Sequence, residues 1–506
     1  MYLPARSREH LQACLYYSRQ APLSVKYRDC SVRDKVHKQL YSQWLLLLPH
    51  LGRARSADLE INLANTTETQ LILPFSQTLT TLMLTDPFIR KPPALELAGK
   101  TIDRIFSVLP NLQHFSSDLH TLGYSDWTER AFPPSLKVLI INHSASGDQT
   151  PSLQHLISAL QKLPYLRQLQ FEGLRSGDYS YSSSNALSMA STPRLERLHL
   201  DGHHAPCTSI LSRTDYTRRL YLRPRLHLRG NRLVMDLFLD SLTGLFQRQG
   251  LPSEESYVLV LHAWAPDGYR LRTHLKVRPA GSGSVIPRKI LSQMLKWGEY
   301  TDLRHSNSCS RFDIAATVIP KEGRDENWET MRLRRDSAAR EFYRRSLPFF
   351  PHVQALVIGL DADGYTTKCT WDAVAPLTNN IQSLQIVVKD MPYQHKEPGG
   401  RILEFPLKLC EMENGKNDLD NGQVPFPSLR VLSISVPLAV GSKDTTRTFL
   451  ENLRIALEAR KARGYGLMKL MLDVSLEKDQ LETQFRHLVE ILSMEEDYDW
   501  NDSEFE

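Results

Sequence analysis

The chain repeats one short pattern of apolar and polar positions. An apolar residue is followed by two free positions, a second apolar residue, one free position and a third apolar residue. Leu79-Thr-Thr-Leu82-Met-Leu84 is the first clear copy, and Leu467-Met-Lys-Leu470-Met-Leu472 is a copy in the second half of the chain. Each copy alternates at its end as a half-buried strand does, so each predicts one strand. The other copies begin at Leu136, Leu166, Leu195, Val353, Ile381 and Leu429, and a degenerate copy begins at Leu112.

The spacing of the copies indicates a repeat array. The copies at Leu136 and Leu166 begin 30 residues apart, which leaves room for a strand, a turn and a helix in each repeat. Pattern and spacing together are the signature of leucine-rich repeats. The predicted fold class is therefore α/β: an irregular leucine-rich-repeat solenoid with a curved, mainly parallel sheet and helices on its convex side.

The pattern divides the chain into five segments. Residues 1–50 are predicted to form an N-terminal helical cap, and residues 51–250 the first half of the repeat array. Residues 251–350 form an irregular middle, and residues 351–494 form the second half of the array with a capping helix. Residues 495–506 are predicted to form an acidic, disordered tail.

Outside the copies, a few elements can be predicted in the irregular middle and at the end of the array. Two strand-like runs, 257–262 and 269–277, flank the turn Pro266-Asp-Gly-Tyr269, which predicts a hairpin. Residues 326–347 read as a long basic helix, and residues 478–494 as a final helix that closes the array.

Composition and charge change this picture little. Hydrophobic residues make up 41% of the chain and charged residues 24%, and the net charge of +5 is too mild to indicate a nucleic-acid binder. Arginines cluster within residues 213–232 and 324–345, and residues 495–506 are acidic. Two interpretations stay open: solvated faces beside a disordered tail, or a tail that folds back on an Arg-rich face until a partner competes.

The cysteines and the hydrophobic runs indicate a cytoplasmic or nuclear protein. The six cysteines show no zinc-finger spacing and no signal peptide accompanies them, so reduced thiols are expected. The longest leucine run, Leu45 to Leu48, ends at Pro49 and is too short to cross a bilayer. A membrane partner is therefore not expected.

Motifs that resemble catalytic or ligand loops are incomplete. Gly441-Ser-Lys-Asp444 lacks the spacing of a phosphate loop, and Asp361-Ala-Asp-Gly364 lacks the remaining ligands of a calcium loop. His203-His204 is expected to be solvated. We therefore predict no enzyme activity, no metal and no cofactor, with a site grafted into residues 251–320 as a remote alternative.

A repeat array typically holds a partner on its concave face, where the free positions around the middle leucine lie. Equivalent positions at Val138, Ile140, Ala355 and Val357 are apolar, so that part of the face either binds a partner or lies under an inserted loop. The predicted partner-binding residues are Met83, His114, Gln168, Gln170, Arg197, His199, Ser383, Gln385 and Ser433.

Three segments carry a resemblance to a known family: residues 8–25, 48–59 and 457–470. Together with repeat openings such as Phe426-Pro-Ser-Leu429, they resemble the fungal F-box-like leucine-rich-repeat proteins of mushroom-forming species. The resemblance covers nearly the whole chain. It implies that an F-box binds a Skp-type adaptor of a cullin–RING ubiquitin ligase, while the repeats hold the protein to be ubiquitylated.

The chain departs from that family where the F-box should begin. An F-box opens with Leu-Pro-x-Glu-Ile or a similar run, whereas Leu3-Pro4 is followed by Ala-Arg-Ser. The F-box itself is therefore expected to be missing, and a Skp-type adaptor is a partner only if an F-box is present upstream. The predicted function is a non-enzymatic protein-binding module that resembles the substrate-recognition part of a ubiquitin-ligase adaptor. The alternative is a stand-alone repeat scaffold with no role in ubiquitylation.

Overall fold

Short parallel strands in sequence order dominate the fold. The chain divides into two compact units, Met1–Pro224 and Arg225–Glu506. The computed structural model describes residues 8–28, 46–60, 78–85, 100, 102–118, 132–142, 158–174, 195–211, 216–228, 238–244, 247, 257–264, 271–279, 312–320, 337, 340–350, 353–361, 374, 379–389, 405–409, 424–435, 443–473 and 478–494.

The first unit opens with helix α1 (Arg8–Ser18), which buries Leu11 and Leu15. A 3-10 turn, Leu48–Arg53, leads into the second strand. Successive strands lie side by side in chain order, and each pair from β1 to β7 is parallel. The strands are β1 (Leu23–Arg28), β2 (Ala54–Glu60), β3 (Thr81–Thr85), β4 (His114–Asp118), β5 (Val138–Asn142), β6 (Gln168–Leu174) and β7 (Leu195–His203). Helix α2 (His204–Leu211) and strand β8 (Tyr216–Leu228) follow.

The middle apolar residues of the copies align across this sheet. Leu139 of β5 is in register with Phe115 of β4 and with Leu169 of β6. The same row continues to Leu82 on one side and to Leu198 on the other. All of these side chains are buried, so the repeated apolar positions form the core side of the sheet, as the alternation predicts.

Backbone hydrogen bonds tie each strand opening to the one before it. The carbonyl of Lys137 accepts from the amide groups of Arg167 (2.8 Å) and Gln168 (3.0 Å). The carbonyl of Gln113 accepts in the same way from Lys137 (2.7 Å) and Val138 (2.9 Å). Because one carbonyl serves two amides of the next strand opening, the copies stack with a constant offset.

The second unit combines an antiparallel group with a second run of parallel strands. The antiparallel strands are β9 (Tyr257–Trp264), β10 (Leu271–Pro279) and β11 (Phe312–Pro320). The pairing of β9 with β10 confirms the predicted hairpin. Beside β9 lie β12 (Val353–Asp361), β13 (Ser383–Lys389), β14 (Val431–Ser435), β15 (Leu467–Asp473) and β16 (Val489–Met494), all parallel to their neighbours.

Helices and turns pack beside these strands. Helix α3 (Lys443–Ala462) precedes β15, and α4 (Lys478–Phe485) precedes β16. Two 3-10 turns, Leu347–Phe349 and Phe405–Leu409, belong to the same unit. Overall, the fold is α/β with mainly parallel strands.

The predicted final helix over 478–494 is wrong in its second half. Helix α4 ends at Phe485, whose carbonyl accepts from the amide of Leu488 (2.9 Å), and the chain then forms β16. Strand β16 satisfies backbone groups at the edge of β15 that a helix would leave without strand partners. Within the predicted basic helix 326–347, residues 340–346 are helical. Residues 326–336 and the predicted tail 495–506 lie outside the described residues.

Candidate partner-binding face

The side of the first unit's sheet opposite the core carries the predicted partner-binding positions. We call this side the outer face. One row across it, the first row, joins Thr81 to His114 and His114 to Val138 in register. The row continues to Gln168 and Arg197. All five side chains are at least partly exposed, and His114 and Arg197 are the most open.

The next row along the strands is less accessible. Met83 and Ile140 are partly exposed, whereas Gln170 and His199 retain 7% and 4% of their accessible surface. The predicted residues Met83, Gln170 and His199 therefore share a row but differ in access. A partner on this face would contact the first row before it reached Gln170 or His199.

In the second unit the corresponding face is buried across three strands. Ser383, Gln385 and Ser433 retain 2%, 6% and 8% of their accessible surface. Ala355 and Val357, which lie on the same face of β12, are buried as well. Val138 and Ile140 of the first unit are partly open by contrast. The predicted face is therefore buried on β12 to β14 and partly open at Val138 and Ile140 of β5.

A second line of polar side chains borders the first row. It consists of the residues one position earlier in each copy, and we call it the pre-strand row. Lys137 Nζ donates to Gln113 Oε1 at 3.0 Å, and Arg167 Nη1 lies 3.4 Å from Glu196 Oε1. The row reads Arg55, Thr80, Gln113, Lys137, Arg167 and Glu196.

The positive charge of the pre-strand row affects the pKa of His114. Partial burial lowers the pKa of His114 below its ordinary value of 6.5, and the ammonium group of Lys137 lowers the same pKa further. At neutral pH the ring is therefore uncharged, and it can both donate and accept a hydrogen bond. The sequence pattern did not single out Lys137, although the next copy also has a basic residue, Arg167, at this position.

The opposite end of the strands has the other sign of charge. Glu60, Glu172 and Asp201 lie at or near the carboxyl ends of their strands and are partly exposed. Gln170 Nε2 donates to Glu172 Oε1 at 2.8 Å. Because the strands are parallel, all their amino ends share one edge. The outer face is therefore basic along its amino edge and acidic along its carboxyl edge.

The Arg-rich segments are partly engaged in ion pairs. Arg344 contacts Glu341 at 2.6 Å, and Arg345 contacts Asp240. On β8, Leu220 and Leu222 are buried. Arg344 and Arg345 therefore neutralise nearby carboxylates on their own unit.

The described residues also bear on metal, thiol and membrane chemistry. Among them, no three His, Cys, Asp or Glu side chains are grouped closely enough to hold a metal ion. His203 Nδ1 accepts from the amide of Ala205 at 3.4 Å, next to the start of α2. Cys14 and Cys207 are free thiols. Within the same described ranges, no helix has the length and apolarity that a membrane span requires.

Neither a protein-family model nor a curated protein matches this chain. The geometry of the outer face therefore carries the functional proposal.

Proposed function

We propose that the chain is a non-enzymatic protein-binding module built as an irregular leucine-rich-repeat solenoid. Its partner lies on the outer face of β3 to β7. The observation that carries this proposal is the open first row, from Thr81 through Val138 to Arg197, in continuous register over five strands.

The dimensions and chemistry of the row suit a protein ligand. Five strands at about 4.8 Å separation span about 19 Å, which matches an extended segment of about six residues or one face of a helix. Gln168 and the neutral ring of His114 offer hydrogen bonds, and Val138 offers an apolar contact. The residues behind the row are buried, and a preformed surface lowers the cost of ordering on binding.

The resemblance to fungal F-box-like proteins gives this module a candidate role. In that role the outer face holds the protein to be ubiquitylated, as the substrate-recognition part of a ubiquitin-ligase adaptor. The alternative is a stand-alone scaffold. Retention of a purified Skp-type adaptor by the immobilised chain supports the ligase role. Failure of the adaptor to bind leaves the scaffold when the DNA upstream of Met1 also encodes no F-box.

A steric block of the first row tests the binding face. We expect Val138→Tyr combined with Gln168→Tyr to fill the row without adding charge, since tyrosine is well tolerated in strands. Thr483→Tyr, on an exposed position of α4, is the matched control. Quantitative mass spectrometry of captured proteins should show at least one partner reduced at least fivefold by the double variant and unchanged by the control.

The proposal fails if every captured protein binds the double variant as well as it binds the unmodified chain. Circular dichroism and the midpoint of urea unfolding establish that the double variant is folded before its binding is compared. A partner lost equally with Thr483→Tyr would also contradict binding at the first row.

A further inference from the structure

We infer that the partner segment bound by the outer face is an acidic, extended stretch of protein that lies along the amino edge of the strands. This inference rests on the proposed function, because it names the partner of the same face. It is carried by the basic edge, which we define as Arg55, Lys137, Arg167 and Arg197.

The four residues of the basic edge lie in two neighbouring rows at the amino ends of the strands. Arg55 precedes Ser56 of β2, and its carbonyl accepts from the amide of Thr80 at 2.9 Å. Lys137 and Arg167 continue the pre-strand row, and Arg197 ends the first row on β7. From β2 to β7 the edge spans five strand separations, or about 24 Å, which an extended segment of about seven residues covers.

The positively charged side chains of the basic edge outnumber the carboxylates beside them. Glu196 is the one carboxylate of the pre-strand and first rows, and it contacts Arg167 through a half-open pair at 3.4 Å. Such exposed pairs are weak and exchange readily with other carboxylates. Arg197 is exposed, and the lowered pKa of His114 supports a positive field beside Lys137.

The carboxyl edge defines where an acidic segment can lie. Glu60, Glu172 and Asp201 repel a ligand of their own sign. An acidic segment is therefore confined to the basic edge and the first row, rather than spread over the whole face.

The same features favour a protein over a nucleic acid. The pre-strand and first rows of the first unit contain no Phe, Tyr or Trp on which a base could stack. Val138, partly open in the middle of the first row, suits an apolar side chain between two acidic residues.

The second unit shows that this charge is not a general property of the repeat. Its pre-strand positions are Gln354, Gln382, Arg430, Met468 and Glu490. With Lys469 of the first row, two basic side chains and one acidic side chain lie there, whereas four basic side chains and one acidic side chain lie in the same rows of the first unit. The larger excess of positive charge therefore belongs to the first unit. Arg430 and the exposed Arg486 accordingly provide a matched control for charge.

The test is fluorescence anisotropy of the full chain with three labelled probes: a 12-residue peptide with alternating Glu and Ser, the same peptide with Gln for Glu, and a 12-nucleotide oligothymidylate. At low salt we expect the Glu peptide to bind at least tenfold tighter than the Gln peptide. Its affinity should fall as salt is raised to physiological ionic strength.

Two pairs of arginine substitutions test where the Glu peptide binds. Arg167→Gln combined with Arg197→Gln should weaken the Glu peptide at least fivefold, because two charges of the basic edge are removed. Arg430→Gln combined with Arg486→Gln removes the same charge from the second unit and should change the affinity less than twofold. Equal weakening by both pairs, or no preference for the Glu peptide, would overturn the inference.

Two further outcomes separate this inference from the proposed function. Oligothymidylate that binds tighter than the Glu peptide and depends on Arg167 and Arg197 would identify a nucleic-acid surface and overturn the inference. A protein partner that is lost with the tyrosine double variant but retained by the arginine double variant would leave the binding face standing and remove only its acidic specificity.

Discussion

The guanidinium group of Arg460 donates a hydrogen bond of 2.9 Å from Nη2 to the backbone carbonyl of Phe426, a residue 34 positions earlier. Its Nη1 donates to the carbonyl of Leu409 at 3.0 Å. Arg460 retains 1% of its accessible surface, and Phe426 has a φ of 54°, in the left-handed region. One buried cation near the end of α3 thus holds the strained turn that opens β14.

We predict that Arg460→Met destabilises the second unit by about 2 kcal/mol or more. Methionine fills much of the volume but removes the Arg460 donor from the carbonyl of Leu409, and a buried carbonyl left without a donor costs about 1–3 kcal/mol. The carbonyl of Phe426 keeps the amide of Leu429 as a donor. The free energy of urea unfolding measures the change.

Arg454→Met is the control on the same helix. Arg454 contacts Glu451 at 2.6 Å on the surface of α3, and exposed ion pairs contribute little to stability. Equal destabilisation by the two substitutions would show that the carbonyl contacts of Arg460 are not what stabilises the turn.

A second prediction concerns a hydroxyl group that bridges successive strand openings. Ser135 Oγ lies within hydrogen-bond distance of the carbonyl oxygens of Pro110 (2.7 Å) and Leu112 (2.8 Å). Thr78 makes both equivalent contacts in another copy, and Ser428 donates to the carbonyl of Asn379. We expect Ser135→Ala to lower the free energy of unfolding by about 1 kcal/mol, as measured by urea denaturation.

The next copy supplies the control for this bridge. Tyr165 occupies the position of Ser135 in register, and its side chain is 64% exposed. Tyr165→Ala should change the unfolding free energy by less than about 0.5 kcal/mol, as is usual for surface substitutions. A loss for Ser135→Ala no greater than for Tyr165→Ala would argue against a structural bridge.

A third prediction tests which side of β5 faces the core. Leu139 is fully buried between Phe115 and Leu169, so Leu139→Ala should cost about 2–5 kcal/mol through lost burial and a cavity. Val138 lies on the outer face and is partly exposed. Val138→Ala should cost less than about 1 kcal/mol in the same urea experiment, and a reversed order would mean that the strand faces the other way.

A fourth prediction follows from the lowered pKa of His114. As pH falls through about 6.5, the unfolded chain binds a proton at this histidine before the folded chain does. The contribution of His114 to folding stability therefore decreases as pH falls from that value, and the decrease ends below the folded-state pKa.

Substitution at Lys137 tests the second cause of that shift. Lys137→Gln should raise the pKa of His114, but not to its ordinary value, since partial burial remains. Titration of ¹³C-labelled histidine by NMR, with the resonance assigned through His114→Asn, gives the value. Lys137→Arg keeps the charge and should leave the pKa low; a rise as large as with Gln would contradict the electrostatic cause.

The local pattern predicted most of the strands, but it did not predict where every helix and strand begins and ends. The copies at Leu79 and Leu429 predicted β3 and β14, because the last two apolar residues of each copy alternate and therefore lie on one face of a strand. Residues 489–494, Val489-Glu-Ile-Leu492-Ser-Met494, fit the same pattern and pair in register with β15, but they were predicted as part of a helix. The basic edge was not predicted because Lys137 and Arg167 lie before the strands. The apolar alternation does not predict which face of the sheet such residues lie on.

The sequence by itself determined which residues point to the core. Leu139 and its aligned neighbours are buried because their spacing places them on one side of every strand. Only the tertiary structure decided which residues of the opposite side meet solvent. Gln168 and Gln170 have the same chemistry and the same facing, yet only Gln168 stays open. The exposure of a side chain depends on which residues pack over it, and those residues can be distant in sequence.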